Sequence, residues 1–317
     1  MGAPDWLTST RVAVVAGKGG VGSSTVAAAY ALAAAREGAD VLFVAVDGRP
    51  GMGPLLGGRE LDSNDRILRR IKGAGQVRGR TIPADQAFGD YLELRGVGGM
   101  LRRAASAASL PMIAAATPGL EHLLVLGKIK ELERARAADL IIVDAPPAGH
   151  AASFLRSATG LSDVVQSGAV RDQSIEVDAM LRDPARCQAM IVTLPEETPV
   201  TEALELGEEL SADIGLTLLP AVVNSCWTDR PGLSKTPAMA ARSHKITLSA
   251  SAKAALASST DFGRERLERQ RQQIQRLADG IGVPLITLPR LATPRLTLHQ
   301  LGELADALVG PMIGATS

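Results

Sequence analysis

RVAVVAGKGGVGSST, residues 11–25, is the stretch whose reading decides the fold. Its opening run, 11–16, is short and apolar and reads as a fully buried strand, while the Ala-rich run 24–36 reads as a closely packed helix. Between them, Gly17, Gly19, Gly20 and Gly22 allow backbone geometries closed to other residues. Successive N–H groups can therefore turn inward at the positive end of the following helix and cradle a phosphate. The competing reading is a glycine-rich strand-to-helix turn with no ligand. The order of strand, glycines, hydroxyls and helix favours the cradle.

The pattern Gly-x-x-x-x-Gly-Lys-[Ser/Thr] fits residues 17–24 except at one place, where Ser23 stands for the lysine. In the full pattern that ammonium reaches the β- and γ-phosphates, and the next hydroxyl, here Ser24, ligates magnesium. The chain keeps a different lysine, Lys18. Gly17-Lys18-Gly19-Gly20-Val21-Gly22 is similar to the deviant P-loop of dimeric ATPases. That similarity implies that Lys18 crosses a subunit interface to the partner's nucleotide.

Further apolar runs at 41–46, 140–143, 190–194, 216–223 and 284–288 read as buried strands alternating with helices, which predicts an α/β fold with a doubly wound, largely parallel sheet. In such sheets the carboxyl ends of the strands line the ligand crevice. The second strand ends at Asp47, which either orients a water for attack on a γ-phosphate or starts a turn before Gly48. The third ends at Asp144, placed to support magnesium directly or through water. After it, Pro146, Pro147 and Gly149 shape a stiff loop, closed by His150, that can sense a γ-phosphate.

Together, the glycine loop and Asp144-Ala-Pro-Pro-Ala-Gly-His150 resemble the ArsA-type anion-transporting ATPases, the family that includes the tail-anchored-protein targeting ATPase. Pro118-Gly-Leu-Glu121 and Pro195-Glu-Glu197 also look familial. The resemblance spans roughly residues 11–310, with its diagnostic motifs confined to a small part of them. It implies ATP and Mg2+ as cofactors and a dimer, homo- or heteromeric. By the same resemblance Gly17, Gly19, Gly20, Val21 and Gly22 cradle phosphates, Ser24 holds magnesium, Thr25 meets the α-phosphate, Lys18 acts in trans and Asp47 positions the water. Asp144 supports the metal, and Pro146, Gly149 and His150 form switch II. Asn224, after the fifth strand, either reads the adenine edge or closes a turn, and Pro289 borders the base. The family's pattern is departed from at Ser23, at Gly48, which replaces a switch I proline, and at Ala145 and Ala148, which replace switch II threonines.

Composition bounds the rest. The 317 residues are 46% hydrophobic but only 3% aromatic, so the interior is built of Ala, Val, Leu and Ile. Lys+Arg and Asp+Glu balance at 34 each, so no global field argues for nucleic acid. Cys187 and Cys226 cannot supply the three thiols that arsenite coordination needs, nor a Cys-x-x-Cys clamp. No basic-then-apolar leader and no membrane-length apolar run occur, which predicts a cytoplasmic protein without a transmembrane segment and with an unidentified protein client.

The expected organisation is a tail over 1–10 and one domain over 11–310, with a helical elaboration at about 85–135. Residues 55–80 read as loop and short helix, 81–85 as a short strand and 86–94 as a helix. Residues 98–110 read as a helix whose Arg102 and Arg103 face solvent. Thr117-Pro118 reads as the start of a helix running to 137, with His122 structural, and Thr198-Pro199 as the cap of a helix over 200–210. Residues 227–260 lack periodicity and read as a functional lid or a disordered segment. Charged and amphipathic helices follow over 263–279 and 297–309. The leading expectation is a dimerisation-coupled switch ATPase. Its rivals are a weakly catalytic nucleotide-binding partner subunit, motivated by Ser23, and a partitioning or division-site ATPase, for which residues 298–317 carry neither a basic face nor a membrane helix.

Overall fold

Short runs of Val, Ile and Ala have no polar side chain to present to water, and they form the centre of a nine-stranded sheet. The computed structural model describes residues 4–46, 48, 50–94, 119–146, 148–164, 167–229 and 235–314. Its strands are β1 (Val12–Ala16), β2 (Asp40–Ala45), β3 (Arg66–Arg70), β4 (Gln76–Thr81), β5 (Leu140–Asp144), β6 (Cys187–Thr193), β7 (Thr217–Leu218), β8 (Ala221–Cys226) and β9 (Leu285–Pro289). The order across the sheet is β3-β4-β2-β5-β1-β6-β8-β9. Every pairing is parallel except that of the edge strand β3 with β4. The expected α/β class and parallel sheet are therefore borne out.

Side chains alternate between two covered faces. Val12, Val14, Leu42, Val44, Ile141 and Val143 join one core, against α4 (Leu120–Arg134), α5 (Ala148–Val164), α6 (Ala169–Arg182) and α7 (Glu197–Glu208). Ala13, Val15, Phe43, Ala45 and Ile142 join the other, against α1 (Ser23–Arg36) and α10 (Leu298–Leu308). The alanines of α1 let its backbone lie close on the sheet, and twelve of its fourteen residues are buried. The remaining helices are α2 (Met52–Leu55), α3 (Ala84–Leu94), α8 (Pro237–Ser243) and α9 (Ala250–Ile281).

Several local expectations are corrected. Residues 55–80 contain two strands, β3 and β4, and the expected strand at 81–85 is only the end of β4. The arginines that made this stretch look like solvated loop are tied across it: Arg78 to Asp40 at 3.0 Å and to Asp65 at 2.9 Å, and Arg80 to Asp65 at 3.0 Å. Gly75 is squeezed against Ala39, whose carbonyl oxygen would lie 1.9 Å from any β-carbon there. The strand expected at 216–223 is broken at Pro220 into β7 and β8, which share one side of β6. Helix α7 starts after Glu196, one residue before Thr198, and no side chain caps it. Residues 227–260 are not an irregular lid; among those described, α8 and the first third of α9 occupy them. Helix α4 begins after Gly119 in a left-handed conformation, and Thr117, Pro118 and the run 98–110 lie outside the described residues. Its His122 packs edge-on to Phe154.

The segment before β1 is docked at Trp6 and Leu7. Leu7 is buried, Trp6 stacks edge-on to Tyr30, and the Tyr30 hydroxyl donates to the Leu7 carbonyl at 2.9 Å. Burial pushes that phenol above its ordinary pKa, so it remains a donor throughout the pH range of the folded protein. Tyr30→Phe removes this bond and leaves a carbonyl unserved, for an expected loss of about 1 kcal/mol. The check is a lower urea midpoint at unchanged slope.

Candidate functional site

The strands carrying the sequence-predicted groups end level with one another. In the β1–β5 register Val15 faces Asp144, and in the β2–β5 register Ala45 faces Asp144. Asp144 is therefore held between two strands at the entrance to the glycine loop, 4% exposed. Ala145 and Pro146 follow it into the interior, and the backbone of Gly149 and His150 lies in the first turn of α5. Asp47 lies outside the described residues, as does Pro147.

The loop is fixed from both sides by neighbouring strands. A β-carbon on Gly17 would meet the Val192 carbonyl oxygen of β6 at 2.5 Å and the Val21 side chain at 2.7 Å. Gly20 and Gly22 have φ of 89° and 88°, the left-handed region that glycine enters without strain. A β-carbon on Gly22 would meet Asn224 Nδ2 at 2.5 Å. Asn224 lies within β8 rather than beyond it. Its Nδ2 donates to the Val21 carbonyl at 2.9 Å, and its Oδ1 accepts from the Ser225 N–H at 2.8 Å. The amide thus braces the loop from behind.

Gly22 is the N-cap of α1, and no side chain caps it, so the helix start offers its N–H groups to the loop's concave side. Ser23 and Ser24 are buried in the first turn, and Thr25 is half-buried beside them. Gly19 and Gly20 are exposed, with open space at their β-positions. The turn has narrow walls that exclude side chains and a floor of main-chain donors, an arrangement that suits a polyanion. Ser24 and Asp144 carry hydroxyl and carboxylate oxygens, the donor type that magnesium prefers. Lys18 extends sideways, its Nζ 3.4 Å from Glu202 of α7 in the same chain.

Beside the loop opens a cavity of about 650 Å³ that the sequence did not reveal. Leu194, Glu196, Ser225, Trp227, Arg266 and Arg290 are among its lining residues. The Trp227 backbone is clamped by Gln270, which accepts from its N–H at 2.8 Å and donates to its carbonyl at 3.0 Å. The Arg266 and Arg290 guanidinium carbons lie 4.6 and 4.7 Å from the centre of its ring. Pro289 ends β9 opposite Cys226, and the Arg290 N–H donates to the Cys226 carbonyl at 2.8 Å, which closes the far wall. Trp227 follows β8 without a motif, and Arg266 and Gln270 meet it only because α9 is folded alongside, so no local pattern marks this cavity.

Both cysteines are buried, and burial pushes the thiols up to about 12 for Cys187 and about 11 for Cys226. They remain protonated, poor nucleophiles and poor soft-metal ligands at neutral pH. Among the described residues no group of three or more His, Cys, Asp or Glu side chains is placed to hold a metal. Iodoacetamide at pH 8.5 is expected to label both thiols in urea and at least about a hundredfold more slowly in the native protein, because only the unfolded thiols ionise there. Mass spectrometry of the alkylated chain reads the difference.

Comparison with known proteins bears on the same region. Residues 10–56 match the family of anion-transporting ATPases. The ATPase BagA of Mycobacterium tuberculosis is 36% identical over 233 residues, covering 71% of this chain and 67% of BagA. The uncharacterized protein SCO2128 of Streptomyces coelicolor is 34% identical over 152 residues, 46% of this chain and 36% of that protein. An arsenical pump-driving ATPase of Escherichia coli is 27% identical over 205 residues, 61% of this chain and 31% of the pump ATPase.

Proposed function

Because the chain belongs to the ArsA-type anion-transporting ATPase family, we propose that it binds Mg-ATP at the Gly17–Ser24 turn and couples nucleotide binding to dimerisation. The observation that carries this reading is the cradle itself, shut to side chains at Gly17 and Gly22 and lined by the helix start. The triphosphate lies against the N–H groups of residues 17–25, and the nucleoside fills the cavity walled by Trp227, Arg266 and Arg290, next in the chain to Pro289. Asn224 contributes by fixing the loop rather than by reading the base, since both ends of its amide are engaged. Ser24 and Asp144 would hold magnesium, which when bound supplies charge stabilisation to the transferring phosphoryl group. Asp47 orients the attacking water. Lys18 swings from Glu202 to the second subunit's nucleotide.

Ser23 sets the rate. A charge-assisted hydrogen bond to phosphate is worth about 1.5–3 kcal/mol, so its loss costs roughly ten- to a hundredfold in binding or turnover. The main-chain donors, metal and Lys18 sustain binding without it. One feature favours a second reading, the weakly catalytic partner subunit: Ser23 is buried in the first turn, where it cannot imitate a long flexible ammonium.

Phosphate release by the purified chain, its Ser23→Lys variant and its Lys18→Ala variant separates these. The switch ATPase requires turnover by the wild type that falls at least tenfold in Lys18→Ala. A wild type as fast as Ser23→Lys rules out the partner-subunit reading, whereas a silent wild type revived by Ser23→Lys supports it. Trp227→Ala is expected to weaken ATP binding about tenfold, because it removes the ring that holds the Arg266 and Arg290 guanidinium groups in the cavity wall. Inorganic tripolyphosphate, which has no base, should bind both forms equally by calorimetry; equal loss for both ligands would place the nucleoside elsewhere.

A further inference from the structure

Helix α9 is 32 residues long; its second half packs along α7, while its first half lies beside the short helix α8. Arg266 pairs with Glu196 at 3.6 Å, Arg276 donates to Thr201 at 2.9 Å, and Ile281 packs on Gly207. These contacts advance along α7 in step with α9, so the second half descends beside α7 from the edge of the sheet where the glycine loop lies. Residues 250–265 therefore stand beyond that edge by about 24 Å at 1.5 Å per residue. From 235 to 266 no residue is buried; Leu267 is the first.

This arm, α8 with the first half of α9, has the surface of an interface. Seven large apolar side chains are exposed among the described residues, and four of them are here: Met239, Ile246, Leu256 and Phe262, at 58, 59, 46 and 64% exposure. Ala240, Ala241, Ile246, Leu248 and Leu256 line a groove of about 290 Å³ between the two helices. Its charges are mainly positive: Lys235, Arg242, Lys245 and Lys253 occur between 235 and 260 with no Asp or Glu, and Asp261, Arg264 and Glu265 follow nearer the sheet, although the whole chain is balanced. None of the four cations between 235 and 260 is in an ion pair among the described residues.

We propose that the arm is the grip for a second copy of this chain: its basic, apolar surface docks on the acidic start of α7 in the other subunit. The proposal rests on the dimerisation reading above, which brings the second copy to this edge. Glu196 and Glu197 are exposed there, and Glu202 is half-buried beside Lys18. Each copy therefore carries both halves of the contact on one edge, and a two-fold axis satisfies both at once. A lipid surface or an acidic peptide from another protein would meet the cations but not Glu197, which unlike Glu196 and Glu202 is in no ion pair among the described residues. Gripping beside the Trp227 cavity also ties subunit closure to its occupancy, since Phe262 and Arg266 line that cavity from α9.

Sedimentation velocity of the full chain, with and without Mg2+ and a non-hydrolysable ATP analogue, tests this. The wild type is expected to dimerise with nucleotide, less tightly as salt rises. Two double variants, Ile246→Asp with Leu256→Asp and Lys245→Glu with Lys253→Glu, are expected to raise the dimer dissociation constant at least tenfold. Analogue binding to the monomer should stay unchanged, and because the altered positions are exposed the fold is expected to persist. Variants that dimerise like the wild type overturn the grip and leave the nucleotide-driven dimer standing. A wild type that stays monomeric at saturating analogue defeats the dimer reading and the grip with it. Arm-dependent capture of the monomer by phosphatidylglycerol vesicles, or by an acidic amphipathic helical peptide, without self-association assigns the arm to that occupant instead and overturns the proposal.

Discussion

The approach of the Gly17 backbone to the Val192 carbonyl is the constraint on which the functional end of this molecule depends. β1 lies in the middle of the sheet, between β5 and β6, so the chain leaving it must turn while wedged against the end of β6. With a β-carbon 2.5 Å from a backbone oxygen, no other residue fits without moving one of the strands. Once the turn is forced, Asn224 on β8 closes its other end by holding the Val21 carbonyl. The loop is thus shaped by the sheet before any ligand arrives. Its donors do not have to be ordered at the moment of binding, and that preorganisation strengthens anion affinity.

Magnitudes decide what the missing cation means. The helix start contributes about 0.3–1 kcal/mol of charge–dipole attraction per anionic group near it, up to about 2 when partly buried. On the proposed reading, several main-chain donors and a metal would outweigh one absent ammonium in binding, while a transferring phosphoryl group, where charge develops, would have less to replace it. Lys18 is the available substitute. Its contact with Glu202 is partly exposed and 3.4 Å long, the kind of pair worth about 0–1 kcal/mol. A contact of that size holds the ammonium only loosely, so on the proposed reading a polyphosphate would outcompete Glu202 for it.

The sheet and the loop were legible because their residues respond to constraints that act locally. A continuous Val/Ile/Ala run has few alternatives to a buried strand, and glycines at 17 and 22 mark backbone positions that other residues cannot occupy. β3 and β4 were not legible, since Arg78 and Arg80 look solvent-bound until Asp40 and Asp65 are brought beside them by pairing. The Trp227 cavity was hidden for the same reason, its walls arriving from four separate segments at 194–197, 225–227, 262–273 and 290. Asn224 was noticed but given a different task, because the sequence does not say that its amide is spent on Val21 and Ser225.

The misreading of residues 227–260 has a separate cause, and it bears on what the arm is. Periodicity signals a helix when one face is buried by the same chain, and here only the short α8 lies alongside and no residue from 235 to 266 is buried. What holds the first half of α9 is high alanine content and the Ser249 hydroxyl, which accepts from the Ala252 N–H at 3.1 Å. Those local terms make a helix without making a core. A stretch that keeps helical propensity while scattering exposed apolar residues among cations has been shaped by something other than its own packing. Its position beyond the edge that carries the glycine loop says where that something lies.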